Sequence, residues 1–336
     1  MSWKLTSHHN YTYFTNTVDS GQSLHYPANN IFYRETPYAI DICFKFDRAS
    51  MLSMQKSDIL DPDGVAFADN DALIHWISYH TGGLMPGDFY LDIAKGIVED
   101  TESFDKYGRN SAIDTATAPE DIWNGSGTYT GFPTGVAETM EIFSSDIDDN
   151  GTGAGARTVT IYNLLDSSGN KMPDVTVTLT GTTPVSLGAQ TYYRGGSRIK
   201  VITAGATGAN EGALTLRHTT TTANIFAVMP ALRNQTAIAA YTVPLGYTLY
   251  VKHVNFQLSR SANGIGSASM TFRARPFGGV FNTIVAPEIT NGSNYSSGDG
   301  FFVFDERTDI KCRCESVSNN GTIITADFSG ILIKNT

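Results

Sequence analysis

The sequence predicts an all-β protein, in which an irregular, aromatic-rich N-terminal β region precedes two antiparallel β-sandwich domains. The first observation is composition: Gly, Thr and Ser are abundant and only 17% of the residues are charged, which is typical of short strands joined by tight turns. The second is a series of short alternating segments after Glu138, with turns about every eight to twelve residues. The third is the length of 336 residues, which exceeds what one hydrophobic core usually supports.

These observations divide the chain into four parts: an N-terminal arm with a small β domain, an ordered connector, a first sandwich and a second sandwich. Their boundaries are residues 1–105, 106–133, 134–222 and 223–336.

The N-terminal part mixes aromatic with polar residues. Residues 1–35 have no strand or helix period, and such a segment gains stability by lying against another surface. An arm laid on a neighbouring subunit and an edge strand of its own domain both remain open. Residues 38–46 and 73–79 are predicted strands. Residues 89–100 are predicted as a strand rather than a helix, because Gly96 lowers helix propensity.

Glycine and proline recur along the connector. Four glycines permit positive φ angles, and two prolines remove ladder donors; these are Gly108, Gly125, Gly127, Gly131, Pro119 and Pro133. Trp123 is the large apolar residue at its centre. We predict that Trp123 has a structural role and pins the connector.

The sandwich strands are predicted from alternation of apolar and polar residues. In the first sandwich they are residues 139–143, 157–165, 174–181, 197–204 and 212–219. In the second they are residues 267–276, 280–286, 301–304, 309–317 and 322–333. Residues 166–170 and 319–321 are predicted hairpin turns.

Charge and cysteine content restrict the partners and the compartment. The net charge of −10 argues against nucleic-acid binding, which needs a cationic surface. The first residues are unlike a signal peptide, and no apolar run is long enough to span a bilayer, so no membrane association is predicted.

The chain has an odd number of cysteines, Cys43, Cys312 and Cys314. A disulfide bridge between Cys312 and Cys314 would be strained. We therefore expect reduced cysteines and a reducing cytoplasm.

One local motif suggests a metal. Asp146, Asp148, Asn150 and Gly151 match the first six positions of an EF-hand calcium loop. Arg157 stands where the loop needs its twelfth-position Glu, and the flanks read as strands, so an EF-hand is excluded. A looser calcium site at Asp146, Asp148 and Asn150 remains one hypothesis, and a solvated acidic hairpin tip is the other. No other cofactor is predicted.

The sequence predicts no catalytic residue and no enzyme activity. Glu138 with Glu141, and Glu120 with Asp121, are paired carboxylates, but nothing places them across a cleft. The glycine-rich residues 151–155 precede a strand and so lack the helix N-terminus that binds phosphate.

Tyr192 and Tyr193 are the candidate binding residues, together with the structural Trp123. Adjacent strand residues face opposite sides, so one of the two tyrosine rings points outward. An exposed ring could stack on a glycan, or it could be ordinary surface. Tyr129 and Tyr295 are further aromatic candidates.

The segments GDFYLDIAKG and KYGRNSAIDTATAPEDIWNGSGTYTGFPTG resemble structural proteins of tailed bacteriophages, of the marine-phage type. The resemblance continues through ARTVTIYNLLDSSGN, RHTTTTANIFAVMPA and IAAYTVPLGYTLYV, and it covers roughly residues 87–336. It implies a virion protein with β-sandwich domains, assembled in the host bacterial cytoplasm, and it leaves head or tail open.

Three functions follow as expectations. The first is a non-enzymatic virion component, a decoration, fibre or tail-associated protein, attached through its N-terminal part and displaying the sandwiches outward. Its partners would be other virion proteins and further copies in a homo-oligomer. The second is a receptor- or carbohydrate-binding adhesin module of the tail, which would bind a host surface glycan or receptor. The third, a polysaccharide depolymerase, would normally show β-helix repeats, which the sequence lacks.

Overall fold

The structure is a computed structural model that describes residues 98–260, 266–290, 294–297 and 300–335, residues 91 and 93–96, and the backbone of five strands within the first 60 residues. The chain divides into two compact units, Met1–Glu99 and Asp100–Thr336. Strands dominate the residues that the structure describes, and the predicted all-β fold class is confirmed.

The described strands of the first unit form a five-stranded sheet with the order β3-β4-β2-β1-β5, in which β1 and β5 are parallel and the other pairs are antiparallel. Its strands are β1 (Trp3–His8), β2 (Tyr11–Asn16), β3 (Ile31–Thr36), β4 (Ala39–Phe44) and β5 (Ile59–Leu60). Strand β4 lies within the predicted strand 38–46, whereas residues 73–79 lie outside the described residues.

The strand prediction for residues 89–100 is wrong where the structure describes them. Leu91, Ile93 and Ala94 are helical, and the Lys95 amide donates to the Leu91 carbonyl at 2.9 Å. Gly96 follows with a φ of 72°, the left-handed conformation with which glycine commonly ends a helical turn. The glycine that argued against a helix is therefore its terminator.

The second unit contains two β-sandwiches, one inserted into the other. The inserted sandwich consists of β8 (Glu138–Ser144), β9 (Ala156–Tyr162), β10 (Val175–Thr178), β11 (Val185–Tyr192), β12 (Arg198–Ala204), β13 (Leu214–His218) and β14 (Ile225–Met229). The base sandwich consists of β6 (Thr101–Ile113), β7 (Glu120–Asp121), β15 (Ala240–Thr242), β16 (Tyr247–Arg260), β17 (Ser267–Arg275), β18 (Asn282–Val285), β19 (Glu288–Thr290), β20 (Asn294–Ser297), β21 (Phe302–Phe304), β22 (Asp309–Val317) and β23 (Thr322–Lys334).

The base sandwich packs two sheets around an aromatic core. One sheet has the order β15-β22-β17-β18, with β7 paired to β22 and β19 paired to β17; the other has the order β20-β16-β23-β6, with β21 paired to β16. Phe256, Phe272 and Phe328 are fully buried between the sheets. Cys312 and Cys314 point into the same core as free thiols, and burial raises the pKa of Cys314 to about 12.

The inserted sandwich has its own core. Its sheets have the orders β11-β8-β13-β14 and β10-β9-β12. Met140, Ile142, Ile161 and Phe226 are fully buried between them. The predicted turn at 166–170 connects the antiparallel pair β9 and β10, so that hairpin is confirmed.

Two predicted boundaries are wrong. Residues 106–113, expected to begin the ordered connector, belong to β6, which pairs along β23 from Thr101 to Ile113. Strand β14, expected to open the second sandwich, pairs with β13 of the first. The sequence of β6 does not alternate between apolar and polar residues, because the polar Lys106 and Asn110 are among its buried residues. Their side chains contact other polar groups rather than solvent.

The hairpin predicted at 319–321 is also wrong. Gly321 turns the chain with a φ of 64°, but β22 and β23 belong to different sheets of the base sandwich. The Gly321 amide donates to the Asp114 carboxylate at 2.6 Å, which fixes the turn to the loop after β6. Turn chemistry specifies a reversal of the chain, and it does not specify which strand the next residues pair with.

Candidate functional site

The inserted sandwich joins the base sandwich through two adjacent chain segments. The incoming segment continues from β7, and the outgoing segment leads into β15. The Ala239 amide donates to the Ile122 carbonyl at 2.9 Å, and the Asn124 amide donates to the Ala237 carbonyl at 3.1 Å. The predicted connector is therefore half of a two-stranded junction.

Trp123 is buried at this junction. Its side chain is 4% exposed and packs into the core of the inserted sandwich. The indole N–H donates to the Gly127 carbonyl at 3.2 Å, and the ring meets Tyr129 edge-on at 5.1 Å between centroids. A ring held in this way is a structural anchor.

The connector glycines are required for a different reason from the one predicted. Of the four, only Gly127 has a positive φ. A side chain at Gly108 would collide with the backbone of Ile122 and Ala239, and one at Gly125 would collide with the Trp123 ring. Close approach of neighbouring groups, rather than backbone conformation, requires these two glycines.

A buried ion cluster joins the two sandwiches. Arg194 of the inserted sandwich donates from Nε to the Asp309 carboxylate of β22 at 3.1 Å. Arg275 and Thr242 also bind Asp309. The side chains of Arg194 and Asp309 are 8% and 6% exposed, so removal of either would leave a buried charge with fewer partners.

Lys106 makes a second buried contact across the junction. Its ammonium donates to the Ser197 hydroxyl at 2.8 Å and to the Ser197 carbonyl at 3.1 Å. Burial lowers the pKa of Lys106 to about 7; the nearby Arg198 lowers it too, and Asp105 opposes the shift. The acceptors on Ser197 are neutral, so this cation lacks the carboxylate that would stabilise its charge in a buried site.

Asp121 organises the incoming segment. Its carboxylate accepts from the Lys311 ammonium at 2.8 Å and from the Tyr129 amide at 2.7 Å. The neighbouring Glu120 accepts from the Gly127 amide at 2.7 Å. These two carboxylates therefore hold the connector in place, and the structure brings no partner carboxylate to them across a cleft among the described residues.

The acidic loop after β8 brings together a different set of side chains from the one that the metal hypothesis named. Asp146 and Asp148 come together with Glu211, their carboxylate oxygens within 4.8 Å of one another. Asn150 instead accepts from the Thr152 and Gly153 amides at 2.9 Å and donates to the Ile147 carbonyl at 2.7 Å. Glu211 was missed because it lies on a distant turn and has no spacing relation to the motif.

Three carboxylates at this separation supply oxygen donors of the kind that hard cations prefer. Like charges this close also repel one another. The calcium hypothesis stays a prediction, now with Glu211 in place of Asn150.

The aromatic binding candidates are buried or half-buried. Tyr192 is 3% exposed and belongs to the core of the inserted sandwich, so its prediction as a binding residue is wrong. Tyr193 is the outward-facing member of the pair and is half-buried, with the Arg194 guanidinium 4.2 Å from its ring centroid. Tyr129 is buried and donates to the Phe226 carbonyl at 2.9 Å. Tyr295 is half-buried against Phe256.

The fold and its junction define an all-β protein in which one sandwich carries another on a two-stranded, ion-paired junction. Within the described ranges no helix has the length and apolar character needed to cross a membrane.

No protein-family model and no curated protein matches the chain. Among solved structures, the chain is similar to two described as structures of infectious bursal disease virus. The Gt strain structure has 11% identity and a TM-score of 0.18, covering 70% of this chain and 73% of that chain. The Gx strain structure has 11% identity and a TM-score of 0.20, covering 70% and 74%. The crystal structure of a VP2 subviral particle of the same virus has 11% identity and a TM-score of 0.19, covering 70% and 73%. Agreement at this level does not establish a common fold.

Proposed function

We propose that this protein is a non-enzymatic structural component of a tailed-phage virion, attached through its N-terminal part and displaying its sandwiches outward. The observation that carries the proposal is the single junction between the sandwiches. The inserted sandwich leaves and rejoins the base at Ile122–Asn124 and Ala237–Ala239. The buried pair Arg194–Asp309 then fixes its orientation.

This construction suits display rather than catalysis. Two paired chain segments with buried ionic contacts hold one module rigidly on another, because rotation about the junction would break several hydrogen bonds at once. The described charged clusters at the junction consist of groups already bonded to one another. The sequence resemblance of residues 87–336 supports the virion context, and the aromatic-rich first residues are the part proposed to contact the particle.

The alternative, a receptor- or glycan-binding module, rests on exposed tyrosine rings. Tyr129 and Tyr192 are buried, Tyr193 is stacked by Arg194, and Tyr295 lies against Phe256. No contact made by these four residues favours the alternative.

The test is attachment to virions that lack the protein. The fragment 100–336 keeps the whole second unit, so it should be soluble and β-rich by circular dichroism but unable to attach, whereas the full chain attaches. Attachment of the fragment would place the anchor in the sandwiches. Failure of both chains to attach would argue against the virion function itself.

A further inference from the structure

A serine and a lysine are buried together where the two sandwiches meet. The Lys106 side-chain nitrogen lies 2.8 Å from the Ser197 hydroxyl and 3.1 Å from the Ser197 carbonyl. Lys106 and Ser197 are 3% and 4% exposed. Among the contacts of the described residues, Lys106 is the one group that hydrogen-bonds to the Ser197 hydroxyl. That hydroxyl therefore faces an amine and is shielded from solvent.

The surroundings of Lys106 favour the neutral form of its amine. An ammonium has three N–H donors, but Ser197 supplies two acceptors, and neither carries a charge. The carboxylate of the adjacent Asp105 accepts from Arg198 instead. Burial lowers the pKa of Lys106 to about 7.

A neutral amine can donate to the Ser197 carbonyl and accept from the Ser197 hydroxyl at the same time. The second contact is the one that a general base makes with a nucleophile. Serine–lysine pairs serve as nucleophile and base in one group of hydrolases. The geometry of Ser197 and Lys106 is therefore that of an activated hydroxyl.

The burial of Ser197 decides what its hydroxyl can attack. An external substrate has no access to a buried side chain, whereas the carbonyl carbon of Gly196 is bonded directly to the Ser197 nitrogen. Gly195 and Gly196 precede the serine with φ angles of 92° and 63°, which glycine adopts without a steric penalty. Neither residue has a side chain that would shield this carbonyl. The peptide bond between Gly196 and Ser197 is the substrate within reach.

We propose that Ser197, activated by Lys106, cleaves the Gly196–Ser197 peptide bond of its own chain. As Oγ of Ser197 attacks the Gly196 carbonyl carbon, Nζ of Lys106 accepts the hydroxyl proton. The C–N bond breaks, the proton passes from Lys106 to the leaving Ser197 nitrogen, and an ester joins Gly196 to Ser197. A water molecule then hydrolyses this ester, leaving a carboxylate on Gly196 and a free amine and hydroxyl on Ser197.

The cleaved chain should remain assembled. Strand pairs that join the two products are β9 with β12, β8 with β13, and β6 with β23, so each sandwich contains strands from both sides of the cut. A chain that cleaves itself once turns over no further substrate, and the reaction is compatible with a structural protein. The inference does not depend on the virion function proposed above.

Intact mass spectrometry of the purified full chain tests the proposal. After incubation at about pH 8, where Lys106 is mostly neutral, the denatured sample should contain two products, residues 1–196 and 197–336. Their summed mass should exceed that of the chain by one water molecule, and sequencing of the second product should begin at Ser197. Size-exclusion chromatography without denaturant should still show one species.

Variants assign the roles of the two residues. Ser197→Ala should abolish cleavage, and Lys106→Met should slow it about 100-fold or more, which is the usual contribution of a general base. Ser197→Cys should retain cleavage, because a thiol is also a nucleophile. The matched controls are Ser103→Ala and Lys334→Met, at exposed positions of β6 and β23, and both should be cleaved as the wild type is.

The pH profile separates this chemistry from cleavage by a contaminating protease. The rate should rise as pH passes through about 7 and then level off, because the neutral amine is the base. A wild-type chain that stays intact, or a Ser197→Ala chain cut at the same bond, overturns the inference. If Ser197→Ala does not fold, the pH profile decides, since a rate that does not rise across pH 7 excludes Lys106 as the base.

Discussion

Asp149 is fully buried beneath the acidic loop, and its carboxylate accepts four hydrogen bonds. The donors are the Ala156, Glu211 and Gly212 amides at 2.7, 2.9 and 2.8 Å and the Ser144 hydroxyl at 2.6 Å. Asp149→Ala should lower the free energy of unfolding by about 3–5 kcal/mol, because buried donors lose their acceptor. Chemical denaturation measures this loss. The neighbouring Asp148→Ala, at an exposed position, should change stability by less than about 0.5 kcal/mol.

Lys106 makes stability depend on pH in a defined window. Its folded-state pKa of about 7 lies below the ordinary value of 10.5. Between these pH values the unfolded chain binds a proton that the folded chain has released, so stability should rise with pH by about 3–5 kcal/mol. The urea midpoint measured from pH 7 to pH 9 should therefore increase. Above pH 9 the buried thiols of Cys312 and Cys314 oppose the increase, because burial raises the pKa of each in the folded protein.

Lys106→Met should remove most of that increase. Lys334→Met is the control, because Lys334 is a largely exposed lysine paired with Asp100, and it should keep the wild-type pH dependence. If the urea midpoint rises equally with pH in the wild type and in Lys106→Met, Lys106 keeps its proton in the folded protein.

The acidic loop tests the metal hypothesis. A ligand that binds only the folded state raises the melting temperature. If Asp146, Asp148 and Glu211 hold calcium, millimolar calcium should raise the melting temperature of the wild type. The melting temperature of Asp148→Asn should not change when calcium is added. Asp305→Asn, in a turn of the base sandwich, should respond as the wild type does. Calorimetry with no heat of binding would remove the hypothesis.

At the scale of the element, the two-stranded junction depends on Trp123. Trp123→Ala should cost about 3–5 kcal/mol, because it leaves a cavity where the incoming segment meets the core of the inserted sandwich. Thermal unfolding measures the change. Val136→Ala, at a 78% exposed position just before β8, should melt as the wild type does. An unchanged melting point for Trp123→Ala would contradict its role as an anchor.

Individual strands were predictable where apolar and polar residues alternate along the sequence. Strand β22 matches the predicted residues 309–317, and β12 and β23 match within one residue at each end. Strand β6 was missed because both of its faces carry polar residues, some of them buried at the junction. Alternation predicts a strand only when apolar residues recur at every second position.

At the scale of the whole molecule, the position of β6 decides where the chain can be divided. A fragment that begins at residue 118 lacks β6, the edge partner of β23 from Thr101 to Ile113. It should aggregate or unfold at a lower temperature than the fragment 100–336, because β23 would lose one of its two paired neighbours and become an exposed edge, and Ile113 would leave the core. Comparison of soluble yield and melting temperature checks this. Equal stability of the two fragments would show that β6 is dispensable.

By itself, the sequence determined the fold class and most strand positions, and it singled out Trp123 of the connector and the two aspartates of the acidic loop. Each of these depends on residues that are near one another in the chain: alternation, turn residues, or a lone aromatic among glycines. Only the tertiary structure decided that one sandwich is inserted into the other, that Glu211 joins Asp146 and Asp148, and that Arg194 meets Asp309. Those contacts join residues far apart in the chain, and local pattern does not record which distant strand supplies the partner.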